Sequence, residues 1–356
     1  MMDTRSVQRS IMVSFESDYT QGAHPRILER FVETNLIPQP GYGFDEYTAS
    51  AREKIRLAAL KPDADVEFIV GGTQTNMVVI STLLKDYEAV IAAKTGHISL
   101  HEAGAIEYSG HKVIELPCKD GKLSSKTVRE YLADFFADGS HEHMAIPGMV
   151  YVSYPTEYGT LYSKAELVAL KAVCREYNIP LFVDGARLGY GLASKACDLT
   201  LKEFADIVDV FYIGGTKVGA LCGEAIVFSN LKKPEHFLTS IKRRGALVAK
   251  GRLLGLQFDT LFSDNLYFEI SKHAIVMAEK VKDIMAKHGV KFYIDSPTNQ
   301  QFVVLDNSVL EKLKQKLRFE IWEKADEKHT VVRFATSWAT TDEDLIVLDE
   351  ALSACL

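Results

Sequence analysis

The sequence predicts an α/β protein: a doubly wound, mainly parallel sheet, followed by a smaller α+β portion. Three observations predict it. Short β-branched or aromatic runs alternate with helical patterns through the first two thirds of the chain. Several of those runs are apolar at successive positions, which a strand requires when both of its faces are covered. After about residue 230 the alternation gives way to a long helical stretch and a few late strands. With 356 residues, 47% of them hydrophobic, the chain can bury a substantial core, and its length alone suggests about two domains.

Seven runs read as strands of the sheet: 66–70, 89–92, 112–116, 149–153, 181–184, 208–213 and 224–228. The helices between them carry their own signals. Ser163-Lys164-Ala165-Glu166 is a capping box, in which the serine hydroxyl takes an orphan N–H and the glutamate reaches back. Leu167, Leu170, Val173, Cys174 and Tyr177 then fall on one helical stripe. Val128, Tyr131, Leu132, Phe135 and Phe136 do the same behind Ser124 and Ser125. Residues 234 to 288 are mostly helical in character. Strands are expected at 291–294, 301–305 and 330–335, and a last helix from Thr341 onward.

Charge narrows the choice of partners. Lys and Arg number 41 and Asp and Glu 48, a formal net charge of −7. The densest basic cluster, Lys242-Arg243-Arg244, is too short to track a phosphate backbone, so no nucleic-acid partner is expected. Five scattered cysteines without CxxC spacing predict neither a disulfide framework nor a zinc site. The opening ten residues are polar and lack the apolar core of a signal peptide. No window reaches the ~18 apolar residues of a membrane span. A cytoplasmic protein is expected, with no membrane partner and no metal.

In open α/β sheets ligands bind beyond the carboxyl ends of the strands, and three such places are informative. After the first strand stands Gly71-Gly72-Thr73-Gln74-Thr75-Asn76, where glycines allow close backbone approach and a following helix, expected from Met77, offers free N–H groups to an anion. An ordinary strand-to-helix turn would look the same. After the fifth comes Asp184-Gly185-Ala186-Arg187. An aspartate ending an apolar strand needs a partner, either a cationic ring nitrogen or, equally well, Arg187. After the sixth, Lys217 is the only charged residue between Val210 and Cys222. An amine among apolar and glycine neighbours has a depressed pKa and is a workable nucleophile toward an aldehyde.

These residues resemble those of a known family. Gly72-Thr73-Gln74-x-Asn76, His97 with Glu102-Ala103-Gly104, Val183-Asp184-Gly185-Ala186-Arg187 and Thr216-Lys217 occur in the order and spacing of the L-threonine aldolases that use pyridoxal 5'-phosphate (PLP). Ser17-Asp18, Tyr42-Gly43-x-Asp45 and Arg333 extend the resemblance over nearly the whole chain. It implies the fold type I, aspartate-aminotransferase-like architecture. It also implies roles: Lys217 as the Schiff-base lysine, Asp184 facing the ring nitrogen, Arg187 the ring hydroxyl, and Gly72 and Thr73 the phosphate. His97 would stack on the ring, and Ser17 and Arg333 would hold the substrate carboxylate. Thr216 stands where the family has serine. Lys250 stands near where the family often has a phosphate-binding arginine. A homodimer or homotetramer is implied, with Tyr42 and Lys250 as candidates for contribution across the interface. The chain would then divide into an N-terminal arm (1–25) reaching the site, a large PLP-binding domain (26–255) and a small domain (256–356).

The implied reaction is retro-aldol cleavage of threonine or allo-threonine to glycine and an aldehyde. Here His97, directly or through a water, is the candidate base for the β-hydroxyl proton, since an imidazole of pKa ~6.5 suits proton transfer near neutrality. β-Elimination or transamination would use the same lysine and aspartate. A PLP-binding regulator without turnover is a further possibility. A Rossmann nucleotide-binding protein would need GxGxxG, which Gly71-Gly72-Thr73 does not supply.

Overall fold

The computed structural model describes residues 12–356. The polar start of the chain and the first part of the expected N-terminal arm lie outside the described residues. Seven strands form one sheet: β1 (Asp65–Ile69), β2 (Glu88–Ala93), β3 (Val113–Leu116), β4 (Ile146–Ser153), β5 (Leu181–Asp184), β6 (Val210–Gly214) and β7 (Glu224–Phe228). Their order across the sheet is β1-β7-β6-β5-β4-β2-β3. Neighbours from β3 to β6 run parallel, while β7 is antiparallel to both β6 and β1. All seven expected strands are present, with ends shifted by up to three residues.

The double covering inferred from the apolar runs is observed directly. Along β2, Ala89 and Ile91 face one hydrophobic cluster while Val90 and Ala92 face another on the opposite side. The capping box at Ser163 and Glu166 is formed, and Leu167, Leu170, Val173 and Cys174 bury the predicted stripe. A second box, Thr341 with Asp344, starts the last helix, Asp342–Cys355.

A four-stranded antiparallel sheet follows, in the order β10-β11-β9-β8: β8 (Lys291–Phe292), β9 (Gln300–Asp306), β10 (Glu320–Lys324) and β11 (His329–Ala335). β10 was not expected. It is an edge strand of sequence EIWEK, paired only with β11 and mostly wet, and edge strands carry charge rather than apolar alternation. The long helix Leu266–Lys287 joins the two sheets. Its first half, through Tyr267, Ile270, Ala274 and Ile275, packs on the large core, and its second, through Met277, Val281 and Met285, packs on the small one. Phe15, from the segment that precedes the first helix, is buried in the small core.

Candidate active site

The carboxyl ends of β4, β5 and β6 open into a cavity of about 350 Å³, and β1 and β2 deliver their following loops to the same place. This is where the strand order turns back on itself, with β3 and β2 on one side and β4 to β6 on the other.

Asp184 forms the floor. It is 4% exposed and accepts four hydrogen bonds: from the hydroxyls of Tyr151 and Tyr212 (2.6 Å each), the Asn76 amide (3.1 Å) and the Ala186 N–H (3.0 Å). Burial alone would raise its pKa; the nearby His97 and these donors outweigh burial and hold the carboxyl below its ordinary value. Sequence reading left open an Asp184–Arg187 ion pair. Arg187 instead turns to Asp18, which is 1% exposed, in a two-pronged pair (Nε to Oδ2 2.6 Å, the terminal nitrogen to Oδ1 3.0 Å). Asp184 thereby makes no ion pair with Arg187.

Lys217 follows β6 through Gly215 and Thr216. Two glycines let its loop lie against the β5 turn: a methyl group on Gly185 would fall 1.9 Å from the Tyr212 carbonyl oxygen, and one on Gly214 would fall 2.1 Å from that of Ala186. Among the described residues the Lys217 amine has no hydrogen bond and no ion pair, and its Nζ stands 5.9 Å from the centre of the Tyr19 ring. Burial, and then the Arg187 guanidinium, lower its pKa, against the pull of Asp18, Asp184 and Glu224. The Thr216 hydroxyl donates to Glu224 Oε1 (2.8 Å) and the Gly215 N–H to its Oε2 (3.1 Å), so this buried carboxyl braces the lysine loop. Burial pushes Glu224 up to about 8.

On the cavity's other walls, the helix Gly72–Leu83 begins at Gly72 rather than at the expected Met77, so Gly72 and Thr73 form its first turn and their N–H groups are the orphans of a helix start. His97 opens a short helical turn, its Nδ1 lying 2.8 Å from Glu102 Oε1. The same oxygen accepts from Asn76 (2.7 Å), which ties the imidazole to the Asp184 network. His97, Glu102 and Asp184 bring possible ligand atoms within 4.8 Å of one another, although Glu102 and Asp184 are already engaged as described.

An adjoining recess of about 220 Å³ holds Arg333, beside Trp322 and His101. Arg333 is 6% exposed. It points inward, donating to Gln300 Oε1 (2.9 Å) and the Glu16 carbonyl (3.2 Å) and pairing with Glu320, while its Nε has no partner among the described residues. Ser17 is buried beside Asp18, its hydroxyl 3.5 Å from that carboxylate, and does not line the cavity. Tyr42 and Lys250 lie elsewhere: the Tyr42 N–H donates to the Ala249 carbonyl (2.9 Å), and both side chains are exposed.

Sequence reading missed Tyr19, Tyr151, Tyr212, Glu157 and Glu224. Two signals were available. A tyrosine in a strand buried on both faces needs a partner for its hydroxyl, and Glu224 opens an otherwise apolar strand.

These residues fit PLP. An amine unpartnered among the described residues for the aldehyde, an ionised carboxylate for a ring nitrogen and a helix start for a phosphate surround one cavity, and beside it the Glu102 Oε2 and Asn76 Oδ1 atoms are buried without partners among those same residues. Fold and site together define a PLP-dependent enzyme of fold type I. Residues 15–292 match the family described as Beta-eliminating lyase. A low-specificity L-threonine aldolase of a Pseudomonas species is 30% identical over 305 residues, covering 85% of this chain and 87% of its own. The threonine aldolase structure of Leishmania major is 43% identical with a TM-score of 0.92, covering 96% of this chain and 99% of its own. A Thermus thermophilus aspartate aminotransferase shares the fold at 15% identity (TM-score 0.67; 99% and 93% covered). The chain belongs to the PLP-dependent threonine aldolase family, within the carbon–carbon lyases.

Proposed function

We propose that the protein cleaves L-threonine or L-allo-threonine to glycine and an aldehyde, in a homo-oligomer whose sites are completed by Tyr42 and Lys250 of a neighbouring copy. One observation carries this reading: the free Lys217 amine and the Arg333 guanidinium line adjoining spaces, so an amino acid can reach both with its two charged ends. Bound PLP would supply an electron-accepting ring conjugated to the substrate nitrogen, which stabilises the carbanion left at Cα.

The chain's own residues supply the rest. Lys217, whose amine burial makes easier to deprotonate, would hold the cofactor and release it to the substrate amine. Asp184 stays ionised and would hold a proton on the ring nitrogen; Arg187, fixed by Asp18, would donate to the ring hydroxyl. Gly72, Thr73 and Thr216 would receive the phosphate. Arg333 would orient the substrate by its carboxylate, once Glu320 gives way, with Ser17 near its approach. His97 would cover the ring face. The match to beta-eliminating lyases keeps a second reading open, elimination from serine. Supplying each amino acid separates the two: threonine should give acetaldehyde and glycine, whereas pyruvate and ammonia from serine, without threonine cleavage, would favour the second.

A further inference from the structure

We infer that Glu157 is the group that takes the proton from the substrate's β-hydroxyl, the place that sequence reading gave to His97; this rests on the retro-aldol reading above. Glu157 stands just past β4 and is 9% exposed. Its Oε1 accepts from the Ser153 hydroxyl (2.6 Å) and from the His97 backbone N–H (2.9 Å). Among the described residues its Oε2 has no hydrogen-bond partner. Glu157 also borders both the cavity that holds Lys217 and Asp184 and the recess that holds Arg333.

That junction is where the reacting bond must lie. With the amine at Lys217 and the carboxylate toward Arg333, the third substituent of Cα, the carbon bearing the hydroxyl, turns to the shared wall. Four other residues share it: Tyr19, which is exposed, Arg187, a cation engaged by Asp18, Lys217 itself, and His97, whose Nδ1 is engaged by Glu102 and whose Nε2 is the competing base that the variants below separate. Glu157 alone offers a carboxylate oxygen with no donor of its own. Burial raises its pKa and Asp184 adds to this, while the Ser153 hydrogen bond, its own backbone N–H and the charge of His97 oppose it. The cations Arg187 and Arg333, the Lys217 amine and the imidazole of His101 line the same two spaces. A carboxylate made more basic by burial is a better proton acceptor than a solvated one.

In the step, the hydroxyl proton passes to Glu157 Oε2 and the O–H electron pair becomes the second C–O bond of the aldehyde. The Cα–Cβ bond breaks and its pair stays on Cα. One proton is then taken up at Cα and the one on Glu157 is released, so threonine gives glycine and acetaldehyde with no change in total.

Two reactions of one enzyme test this. Exchange of the glycine α-proton with deuterated solvent needs the cofactor and Lys217 but no β-hydroxyl base; threonine cleavage needs both. Glu157→Gln should lower the kcat for threonine by roughly 10²- to 10⁴-fold, while its PLP absorption and glycine exchange stay within a few-fold of the parent. Cleavage within tenfold of the parent, or exchange lost in step with cleavage, overturns the inference. If the glutamine variant does not take up PLP, Glu157→Asp replaces it and must lose more cleavage than exchange. His97→Gln is the counter-test: the same split there, with Glu157→Gln unaffected, assigns the proton to His97. A parent enzyme that exchanges glycine protons but never cleaves threonine sinks the retro-aldol reading instead.

Discussion

Asp184 and Arg333 are both deeply set charges of the site, and the structure treats them in opposite ways. Asp184, on the seven-stranded sheet, takes four donors from two neighbouring strands, its own turn and the helix Gly72–Leu83. Arg333, on the four-stranded sheet, is nearly as buried, yet among the described residues its Nε and the neighbouring Gln300 Nε2 lack partners, and its paired anion, Glu320, is 41% exposed. An unsatisfied buried donor costs about 1–3 kcal/mol, which an incoming carboxylate can recover. Folding finishes the floor of the site and leaves its rim to be finished by a ligand.

This contrast can be broken from either side. Lys217→Ala gives the largest expected effect: cleavage falls to background and no cofactor is covalently attached. A variant still labelled by borohydride reduction would show that the floor is not where the cofactor is held. Asp184→Asn keeps the shape but removes the charge, and kcat should fall roughly 10²- to 10³-fold, the scale of losing a preorganised electrostatic partner. At the rim, Arg333→Ala should cost about 1.5–3 kcal/mol of charged hydrogen bonding, roughly 10- to 100-fold in kcat/KM, with PLP absorption unchanged. Glu320→Gln should act in the reverse direction and lower KM, because it removes the internal competitor for Arg333. An unchanged or higher KM would show that Glu320 is a permanent partner.

The smallest effect concerns stability. The unfolded chain ionises Glu224 near the ordinary carboxylate value, whereas the folded chain does so only near about 8. Between those values the native state keeps a proton that the unfolded state has lost. Stability from this group therefore falls as pH rises through that window and is fully lost above it. Glu224→Gln should flatten this fall in melting temperatures of the cofactor-free protein between pH 5 and 8; parallel curves for the two proteins would refute it.

Much of this was legible beforehand, and for identifiable reasons. The seven strands declared themselves because covered strands must be apolar on both faces. Lys217 stood out because a lone charge in such surroundings is costly without a use. Arg187 was recognised but its partner was not: Asp18 lies 169 positions away, and no local pattern encodes that pairing. β10 escaped because an exposed edge strand has no apolar alternation to read. Tyr42 and Lys250 came from resemblance alone, and within one chain they remain apart from the cavity.

The sequence by itself determined the local and periodic features: the covered strands, the capped helices, the glycine turns, and a reactive lysine following one strand with an aspartate ending another. Each depends on residues a few positions apart, where spacing fixes geometry. Only the tertiary structure decided which charge neutralises which, that Tyr151 and Tyr212 hold Asp184, and that Glu157 borders both the cavity of Asp184 and the recess of Arg333. Those relations join residues from separate strands and both sheets, and become defined only when packing brings the strand ends together around one cavity.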